Sequence, residues 1–400
     1  MVLTQTENEE MTQVGPGTPG GEFLRRYWHP ISVAADLTPE RPKKRVRIMG
    51  EDLVLFRTPV ETALTPPSPA AAREGVVAAP WTVAGEASDV TYGLVKEQCS
   101  HRGCSLYYGF LEDGNIRCAY HGWMYDKQGK IVETPFEPEQ SLLKHTLRHP
   151  AYPVIKVRGL LFAYMGPAPA PILPPWDVLA RRDGTHEIGV HAVLNANWLQ
   201  MFETNVDPTH NTFLHSKWGF LVGMRKEFKF VPIELEFERF EFGIVKRREF
   251  GGDEAYKEEG HPILLPNVLR HSSGHGPIDL QWRTPIDDTH TQTFTLDFRP
   301  SKDGSIADSS DDPPWKFDAL KDEEGYFTMK SFPSQDSMAW ETQGPIRDRS
   351  LEHLGMSDKG VAMLRELLKE QIDKVKRGEE PMGVLRDPEE YDIISFSASK

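Results

Sequence analysis

The stretch that decides the fold is CSHRGC, residues 99–104, which is followed by CAYHGW, residues 118–123. The two strings contain all 3 cysteines of the 400-residue chain, and each string also contributes a histidine. Thiolates and imidazoles are the usual protein ligands of zinc and of iron–sulfur clusters. Short strands are expected on both sides of each string, so two loops can present their tips to one metal centre.

The candidate ligands are Cys99, His101, Cys118 and His121. A structural zinc site with two cysteines and two histidines would use this donor set. So would a [2Fe–2S] cluster of the Rieske type, in which two histidines bind one of the irons. A zinc finger usually keeps its cysteines together and its histidines together, whereas each loop here gives one of each. The spacing favours the two-iron cluster and leaves a structural zinc module as an alternative.

Composition excludes several classes of function. The net charge is −14, so the chain lacks the basic surface that nucleic-acid binding requires. No stretch approaches the roughly 18 apolar residues of a membrane span, and the acidic N-terminus does not resemble a signal peptide. The few cysteines predict a cytoplasmic protein whose thiols stay reduced and can bind metal. We expect neither nucleic acid nor membrane as a partner.

A second candidate metal site lies in ETNVDPTHNTFLHS, which contains Asp207, His210 and His215. Two histidines and one carboxylate form the facial triad of non-haem Fe(II) oxygenases. On a regular α-helix, His210 and His215 would point about 140° apart, at about 100° per residue. We therefore predict a π-type or irregular turn between the two histidines.

The residues around both sites resemble one protein family. CSHRGCSLYYG and CAYHGWMYD closely resemble the Rieske signature, and the two sites together resemble the Rieske non-haem iron ring-hydroxylating oxygenases, catalytic α subunit. GPGTPGGEFLRRYWHP, LPNVLRH and TPIDDTH resemble the phthalate-oxygenase and aromatic O-demethylase branch. The resemblance covers residues 14–165 and 190–370 of the chain.

The resemblance implies roles at the second site. Asp207 would not bind iron but would bridge two subunits for electron transfer, with His121 as the donor end and His210 as the acceptor end. The carboxylate ligand should lie far downstream, and SQDSMAWETQGPIRDR fits the family pattern around it. Asp336 is the expected ligand, and Glu341 is the reserve.

Two positions depart from the respiratory Rieske proteins. In those proteins the cysteine at the position of Cys104 forms a disulfide with a cysteine in the second loop. In this chain the position of that second cysteine is occupied by Tyr120. Cys104 is therefore expected to be a small buried side chain and no ligand. Trp123 replaces a serine that donates to a cluster sulfur, which implies a low reduction potential, and Tyr125 is the remaining possible donor.

The resemblance also implies an α+β fold: a Rieske antiparallel β-sandwich joined to a helix-grip (START-like) catalytic domain with a curved antiparallel sheet. A segment with five prolines in ten residues predicts the linker between them. The expected domains are an N-terminal segment that packs on the catalytic domain (1–45), the Rieske [2Fe–2S] domain (46–166, with an insertion at 61–90), the Pro-rich linker (167–176) and the catalytic mononuclear iron domain (177–400).

Hydrophobic periodicity predicts individual elements. Alternation of apolar and polar residues predicts strands in 233–242 and 291–298, and a hairpin in 44–58. Residues 21–30 are predicted to form a short helix that ends at a proline. An apolar stripe predicts a helix in 357–378, which Ser357 caps and Gly378 ends.

The function implied is that of the terminal oxygenase component of a multicomponent system. It would use O₂ to oxygenate an aromatic acid, by O-demethylation of a methoxylated aromatic or by ring hydroxylation. A homotrimer is implied, because in the family the cluster of one subunit serves the iron of the next. The alternative is an electron-transfer Rieske protein without oxygenase activity.

The chain cannot supply its own electrons. Beyond the two cysteines of the cluster only one remains, which is too few for a ferredoxin cluster, and there is no credible nicotinamide or flavin fingerprint. Electrons from NAD(P)H must therefore arrive through a separate reductase or ferredoxin. An acid substrate calls for a basic residue near the iron, and Arg270 and Arg283 are the candidates.

Overall fold

The computed structural model describes residues 2–59, 90–224, 230–252, 256–272, 277–301, 310–387 and 393–396. Most of the expected insertion at 61–90 lies outside the described residues. The chain divides into two compact units. The large unit comprises Met1–Leu24, Pro174–Val384 and Ile393–Lys400, and the small unit comprises Arg25–Leu173 and Leu385–Asp392. The division between Leu173 and Pro174 falls inside the Pro-rich segment 167–176.

Helices are few and mostly short. In the described part of the chain they are α1 (Gln5–Thr12), α2 (Pro19–Leu24), α3 (Leu143–Thr146), α4 (Asp177–Ala180), α5 (Trp198–Glu203), α6 (Ser216–Leu221), α7 (Phe332–Glu341) and α8 (Lys359–Lys376). There are 3₁₀ turns at Ala34–Asp36, Leu106–Tyr108, Thr204–Val206, Arg349–Leu351 and Met356–Asp358, and a π-helical turn at Asn211–His215.

The small unit is built from short antiparallel strands. They are β1 (Trp28–Val33), β2 (Lys43–Ile48), β3 (Glu51–Pro59), β4 (Val90–Lys96), β5 (Phe110–Glu112), β6 (Asn115–Arg117), β7 (Met124–Tyr125), β8 (Ile131–Glu133), β9 (Ala151–Tyr152), β10 (Val154–Val157) and β11 (Leu160–Tyr164). The sheets have the orders β1-β11-β10, β2-β3-β4-β9 and β5-β6-β7-β8.

The core of the small unit lies directly under the two cysteine loops. Cys99 and Cys118 are themselves members of this apolar cluster, beside Trp123 and Tyr125. The hairpin predicted in 44–58 is confirmed as β2 and β3. Its two-residue turn has positive φ at both positions, the pattern that fits the twist of a tight hairpin.

The large unit contains one sheet of eight strands. They are β12 (Gly184–His191), β13 (Phe230–Phe240), β14 (Gly243–Gly252), β15 (Tyr256–Leu264), β16 (Val268–Ser272), β17 (Ile278–Pro285), β18 (Thr291–Pro300) and β19 (Trp315–Asp318). Their order is β13-β14-β15-β16-β17-β18-β12-β19, and all pairs are antiparallel except β12 with β19. β13 and β18 confirm the strands predicted in 233–242 and 291–298.

The N-terminal region differs from the prediction. α2 ends at Leu24, residues 25–27 form a turn, and the last three residues of the helix predicted in 21–30 begin strand β1, which pairs with β11. All six residues of β1 are buried, so sheet pairing outweighs local helix preference there. The structure therefore groups Met1–Leu24 with the large unit and Arg25 onward with the small unit, whereas a single segment 1–45 was expected on the catalytic domain.

α8 confirms the predicted C-terminal helix, with one correction. Val361, Leu364 and Ile372 are buried on its inner face, and Gly378 follows its end with φ +79°. Ser357 is not the N-cap. A 3₁₀ turn precedes the helix instead, and the Asp358 carboxylate accepts the amide of Gly355 there.

Candidate metal centres

Both cysteine loops have the same backbone hydrogen-bond frame. The amide of Gly103 donates to the carbonyl oxygen of Cys99 at 2.8 Å, and the amide of Gly122 donates to that of Cys118 at 3.0 Å. Both glycines have positive φ, +75° and +74°, which glycine adopts without strain. Each loop therefore turns sharply four residues after its cysteine and carries its histidine within the turn.

The residue after each glycine completes this frame. Cys99 donates its amide to the carbonyl oxygen of Cys104 at 2.9 Å, and Cys118 donates to that of Trp123 at 2.8 Å. Cys104 and Trp123 thus occupy equivalent places in the two loops. Trp123 stacks on His101 with ring centroids 4.8 Å apart. Cys104 packs against the core and forms no disulfide, but it is half-buried where full burial was expected.

The two sulfurs and the two imidazoles face different surroundings. Cys99 and Cys118 are only 4% and 2% exposed, whereas His101 is exposed and lies 4.6 Å from His121 between ring centroids. Burial raises the pKa of Cys99, and the nearby Cys118 sulfur adds to the effect. A bound cation favours the deprotonated thiolates. The arrangement fits a cluster with its sulfur ligands inside and its imidazole ligands outside.

A buried network supports the first loop. The Tyr125 hydroxyl lies 2.9 Å from Cys99 Sγ, and the Tyr125 ring packs on His149 with centroids 4.4 Å apart. Nε2 of His149 donates to the Lys96 carbonyl oxygen at 2.8 Å, so Nδ1 accepts from the Ser100 hydroxyl at 2.7 Å. Burial lowers the pKa of His149, which keeps the ring neutral in this tautomer.

The second centre brings together side chains that are far apart in sequence. His210, His215 and Asp336 each offer one ligand atom, and these atoms lie within 4.8 Å of one another. Oδ1 of Asp336 is 3.2 Å from Nε2 of His215 and 3.9 Å from Nε2 of His210. Asp336 lies on α7, whereas the histidines lie at the ends of the π-helical turn.

The π-helical turn Asn211–His215 confirms the irregular turn that the spacing predicts. Hydrogen bonds in a π turn join residues five apart, which is the spacing of His210 and His215. The two imidazoles therefore point to the same side, with ring centroids 5.1 Å apart. A regular α-helix would separate them.

The residues of this centre fit a bound iron. Oδ1 of Asp336 is buried and has no hydrogen-bond partner among the described residues. A buried carboxylate oxygen without a partner is costly, and a cation between it and the two imidazoles removes that cost. Two histidines and one carboxylate are the donor set of non-haem Fe(II) oxygenases.

Gln335 orients one of the histidines. Its Oε1 accepts from Nδ1 of His215 at 2.9 Å, which leaves Nε2 of His215 for the metal. Its own Nε2 donates to the carbonyl oxygen of Met329 at 2.8 Å, so the amide cannot rotate freely. Gln335 entered the sequence prediction only as a motif neighbour of Asp336, and this role was missed.

The other two carboxylates are placed differently. Oε1 of Glu341 accepts from Nζ of Lys321 at 2.6 Å, and Glu341 does not join the group of ligand atoms. Oδ2 of Asp207 lies 3.4 Å from Nδ1 of His210, and its Oδ1 accepts the amide and hydroxyl of Thr209. Burial alone would raise the pKa of Asp207, but His210 and Thr209 outweigh it and hold that pKa well below its usual range.

The two candidate arginines have different partners in the structure. Nη2 of Arg270 pairs with Oδ2 of Asp177 at 2.7 Å, and both side chains are buried. Arg283 lies with its guanidinium carbon 5.2 Å from the centroid of the Trp340 ring. Trp340 is on α7, the same helix as Asp336. Of the two, Arg283 is therefore the arginine beside the candidate iron ligands.

Comparison with known proteins identifies the family. Residues 27–153 match the family described as Rieske [2Fe-2S] domain, and residues 310–399 match the one described as LigXa C-terminal domain like. The chain is 34% identical over 395 residues to the 5,5'-dehydrodivanillate O-demethylase oxygenase subunit of Sphingobium sp. (strain NBRC 103272 / SYK-6), an alignment that covers 97% of this chain and 84% of that protein. The chain belongs to the Rieske non-haem iron oxygenases.

Further Rieske oxygenases support the fold. The chain is 28% identical to the phthalate 4,5-dioxygenase oxygenase subunit of Pseudomonas putida, over 99% of this chain and 92% of that protein. The oxygenase of carbazole 1,9a-dioxygenase, solved with its ferredoxin, superimposes with a TM-score of 0.60 at 16% identity and covers 92% of this chain and 95% of its own. NdmA of Pseudomonas putida CBB5 with caffeine gives 0.60 at 17% identity, over 89% and 93%. The expected α+β fold is confirmed.

This Rieske oxygenase is the terminal oxygenase component of a multicomponent system, and it is an oxidoreductase that incorporates oxygen from O₂. Its small unit contains the Rieske [2Fe–2S] domain match, which includes both cysteine loops. Within the described residues, no helix is both long and apolar enough to cross a membrane.

Proposed function

We propose that this oxygenase demethylates a methoxylated aromatic acid, and that ring hydroxylation of an aromatic acid is the alternative reaction at the same site. One observation carries the proposal. Nε2 of His210, Nε2 of His215 and Oδ1 of Asp336 converge, and the Asp336 oxygen is buried without a hydrogen-bond partner among the described residues. The O-demethylase subunit that is 34% identical over most of the chain supports demethylation, and a phenoxybenzoate dioxygenase subunit at the same identity supports the alternative.

The residues assigned to the two cofactors are separate sets. The ligands of the Rieske cluster are Cys99, Cys118, His101 and His121, and those of the mononuclear iron are His210, His215 and Asp336. When bound, the cluster supplies one-electron transfer and the ferrous ion supplies activation of O₂.

An outer partner faces Nδ1 of each histidine of the iron site. Gln335 accepts the Nδ1 proton of His215, and Asp207 faces Nδ1 of His210 at 3.4 Å. Each imidazole is thereby held in the tautomer that presents Nε2 to the metal. The low pKa of Asp207 keeps it anionic at neutral pH, so its negative charge increases the basicity of His210.

Asp207 has a second role in this proposal. It bridges two subunits of a homotrimer, with His121 of a neighbouring subunit as the donor end and its own His210 as the acceptor end. His101 at the cluster loop is exposed, and the Asp207 side chain is 29% exposed. This exposure supports contacts of both residues with another subunit. A separate reductase or ferredoxin supplies the electrons from NAD(P)H.

The proposed demethylation consumes one O₂ and two electrons for each methyl group removed. An aryl methyl ether, O₂, two electrons and two protons give the phenol, formaldehyde and one water. One oxygen atom is inserted into a C–H bond of the methyl group, which gives a hemiacetal. The hemiacetal then breaks down to formaldehyde and the phenol, and the bond between the methyl carbon and the ring oxygen is cleaved. The other oxygen atom leaves as water.

The first experiment combines metal analysis with product analysis. The purified protein is assayed for iron and acid-labile sulfide, and then supplied with O₂, a surrogate reductase and vanillate. We expect three irons and two sulfides per chain, and formaldehyde in step with vanillate consumption. Hydroxylated products without formaldehyde would assign ring hydroxylation instead.

Two results would contradict the assignment of the sites. Zinc in place of iron and sulfide would leave the cysteine loops as a structural zinc module. Two irons per chain, with no loss of iron in Asp336→Ala, would leave an electron carrier without a mononuclear centre. A matched control is Glu341→Ala, which removes the neighbouring carboxylate on the same helix and should retain the iron, because Glu341 pairs with Lys321.

A further inference from the structure

Arg283 is a buried cation beside the candidate iron ligands. It lies on β17 and is only 4% exposed. Its guanidinium carbon lies 5.2 Å from the ring centroid of Trp340, whose Nε1 donates to the Thr204 hydroxyl at 2.6 Å. Burial lowers the pKa of Arg283 to about 10, although the negative charges of Asp336 and Asp279 act against this. Arg283 is therefore charged at neutral pH and within electrostatic reach of Asp336.

This cation lacks a matching anion. Arg283 forms no ion pair with any carboxylate of the described residues, and its Nε is buried without a hydrogen-bond partner there. Arg270, on the neighbouring strand β16, is equally buried and its Nε likewise has no hydrogen-bond partner among the described residues, but its Nη2 pairs with Asp177 at 2.7 Å. A buried charge without a partner costs several kcal/mol, roughly the penalty of transferring an ion from water. Arg283 thus differs from an arginine that serves the core.

Two carboxylates, Asp336 and Asp279, act on this charge, but Asp279 is connected to Arg283 only through Gln281. A ferrous ion with two neutral imidazoles and one carboxylate keeps a positive charge of its own, so Asp336 cannot neutralise both the metal and Arg283. Burial and the charge of Arg283 lower the pKa of His191 to about 4, so His191 is neutral. The excess positive charge favours an anion on this side of the iron.

A chain of hydrogen bonds fixes the guanidinium. Nη2 of Arg283 donates to Oε1 of Gln281 at 2.8 Å, and Nε2 of Gln281 donates to Oδ1 of Asp279 at 2.8 Å. The other oxygen of Asp279 lies 3.0 Å from Nδ1 of His271. Because these contacts hold Gln281 with its oxygen toward Arg283, one side of the guanidinium is occupied and Nε–H has no acceptor.

We propose that Arg283 binds the carboxylate of the aromatic substrate and so makes the enzyme select aromatic acids over their neutral analogues. An arginine fork matches a carboxylate in shape and charge, and such charge-assisted hydrogen bonds are about twice as strong as neutral ones. The Trp340 ring, fixed by Thr204, lies against the same guanidinium. The inference rests on the proposed function and names the residue that recognises the acid group of its substrate.

The test compares vanillate with vanillamide, which has the same ring and methoxyl group but no charge. Binding of each to the resting enzyme is measured by calorimetry, and kcat/KM is measured from formaldehyde release. In wild type we expect vanillate to bind more tightly. In Arg283→Gln, vanillate binding and kcat/KM should fall about 10- to 100-fold, as loss of a charge-assisted hydrogen bond predicts, while vanillamide changes little. Arg283→Lys should recover part of the preference.

Arg270→Lys is the matched control, because it alters a buried arginine of the same sheet that already has an anion. Its acid-to-amide ratio should equal that of wild type. Iron content and thermal unfolding are measured for every variant. Equal losses for both ligands, or loss of iron in both Arg283 variants, would overturn the proposal and make Arg283 a support for Asp336. A wild-type protein that binds vanillate no better than vanillamide would overturn it as well. If wild type binds vanillate more tightly than vanillamide but releases no formaldehyde, the role of Arg283 in carboxylate binding is supported and the proposed demethylation is wrong.

Discussion

At the scale of single residues, the orientation of His215 depends on Gln335. Replacing Gln335 with Leu removes the acceptor of the Nδ1 proton, so the ring can rotate and change tautomer. We expect the affinity for Fe(II) to fall about 10- to 100-fold, the usual cost of losing an outer partner of a metal ligand. Competition with a chelator, with the cluster spectrum recorded in parallel, measures this loss. Gln343→Leu, an exposed glutamine two residues beyond the end of α7, should retain wild-type affinity.

Tyr125 should set the potential of the cluster. Its hydroxyl lies 2.9 Å from Cys99 Sγ, and a donor to a cluster sulfur stabilises the reduced form. Tyr125→Phe should therefore lower the reduction potential, which a redox titration followed by EPR measures. Tyr152→Phe loses a hydroxyl that binds Glu51 in the same unit and should leave the potential unchanged. An unchanged potential in Tyr125→Phe would show that this hydroxyl does not act on the cluster.

Sequence reasoning found the candidate ligands but not the residues that orient them. Cysteine and histidine are rare enough for spacing to reveal a metal site, and Asp336 was found through its motif. Gln335 contacts a histidine 120 positions away, and His149 contacts Ser100 across 49 positions. Glutamine and serine occur throughout any chain, so only the folded arrangement distinguishes these partners.

At the scale of elements, periodicity predicted the strands whose two faces differ. β13 and β18 alternate because one face of the sheet is buried, and the β2–β3 hairpin follows from its turn. Strand β1 was missed because all its residues are buried, which removes the period-two signal. The π-helical turn was predicted from chemistry, since two ligands five apart cannot meet on a regular helix.

The helix that precedes the iron site depends on one buried glutamate. Glu203, at the end of α5, binds Arg349 at 2.9 Å and Arg365 at 2.6 Å, and both arginines are fully buried. Glu203→Gln takes the carboxylate away from the buried Arg349 and removes one carboxylate partner of Arg365, which keeps Glu352 at 2.7 Å, so the free energy of unfolding should fall by about 3–5 kcal/mol. Urea denaturation measures this. Glu370→Gln, which breaks the exposed pair with Arg239, should cost about 0–1 kcal/mol.

The same glutamate predicts a pH dependence. Burial alone would raise the pKa of Glu203, but Arg349 and Arg365 outweigh it and lower that pKa. A carboxylate whose pKa is lower in the folded state stabilises the fold above its unfolded pKa of about 4.3, and the contribution is lost as the pH falls below that value. The stability difference between wild type and Glu203→Gln should therefore be constant from about pH 6 to 8 and shrink below about pH 4. A difference that grew on acidification would contradict this sign.

At the scale of the whole molecule, the sequence predicted two domains and a linker, but not where the N-terminus belongs. The pairing of β1 with β11 places the residues from Arg25 onward in a different unit from residues 1–24. The residues after Gly378 were also left without a role. In the structure, Leu385 bridges Ile172 and Ile394 bridges Trp176, so both residues pair with the Pro-rich segment 167–176. Such long-range pairing has no local signature.

The proposed trimer predicts that two inactive variants recover activity when they assemble together. Cys118→Ala removes a proposed sulfur ligand of the cluster, Asp336→Ala removes the proposed carboxylate ligand of the iron, and each variant alone should be inactive. If electrons cross from one subunit to the next, co-expressed mixed trimers contain interfaces where an intact cluster faces an intact iron site. For equal amounts assembling at random into a ring, about one quarter of the interfaces have this arrangement, so about one quarter of wild-type formaldehyde release should return. The separately purified variants, mixed without dissociation, provide the control and should stay inactive. Transfer within one subunit would restore nothing in the mixed trimers, because no chain there has both sites, and a protein that is monomeric by light scattering yet fully active would exclude the bridge through Asp207.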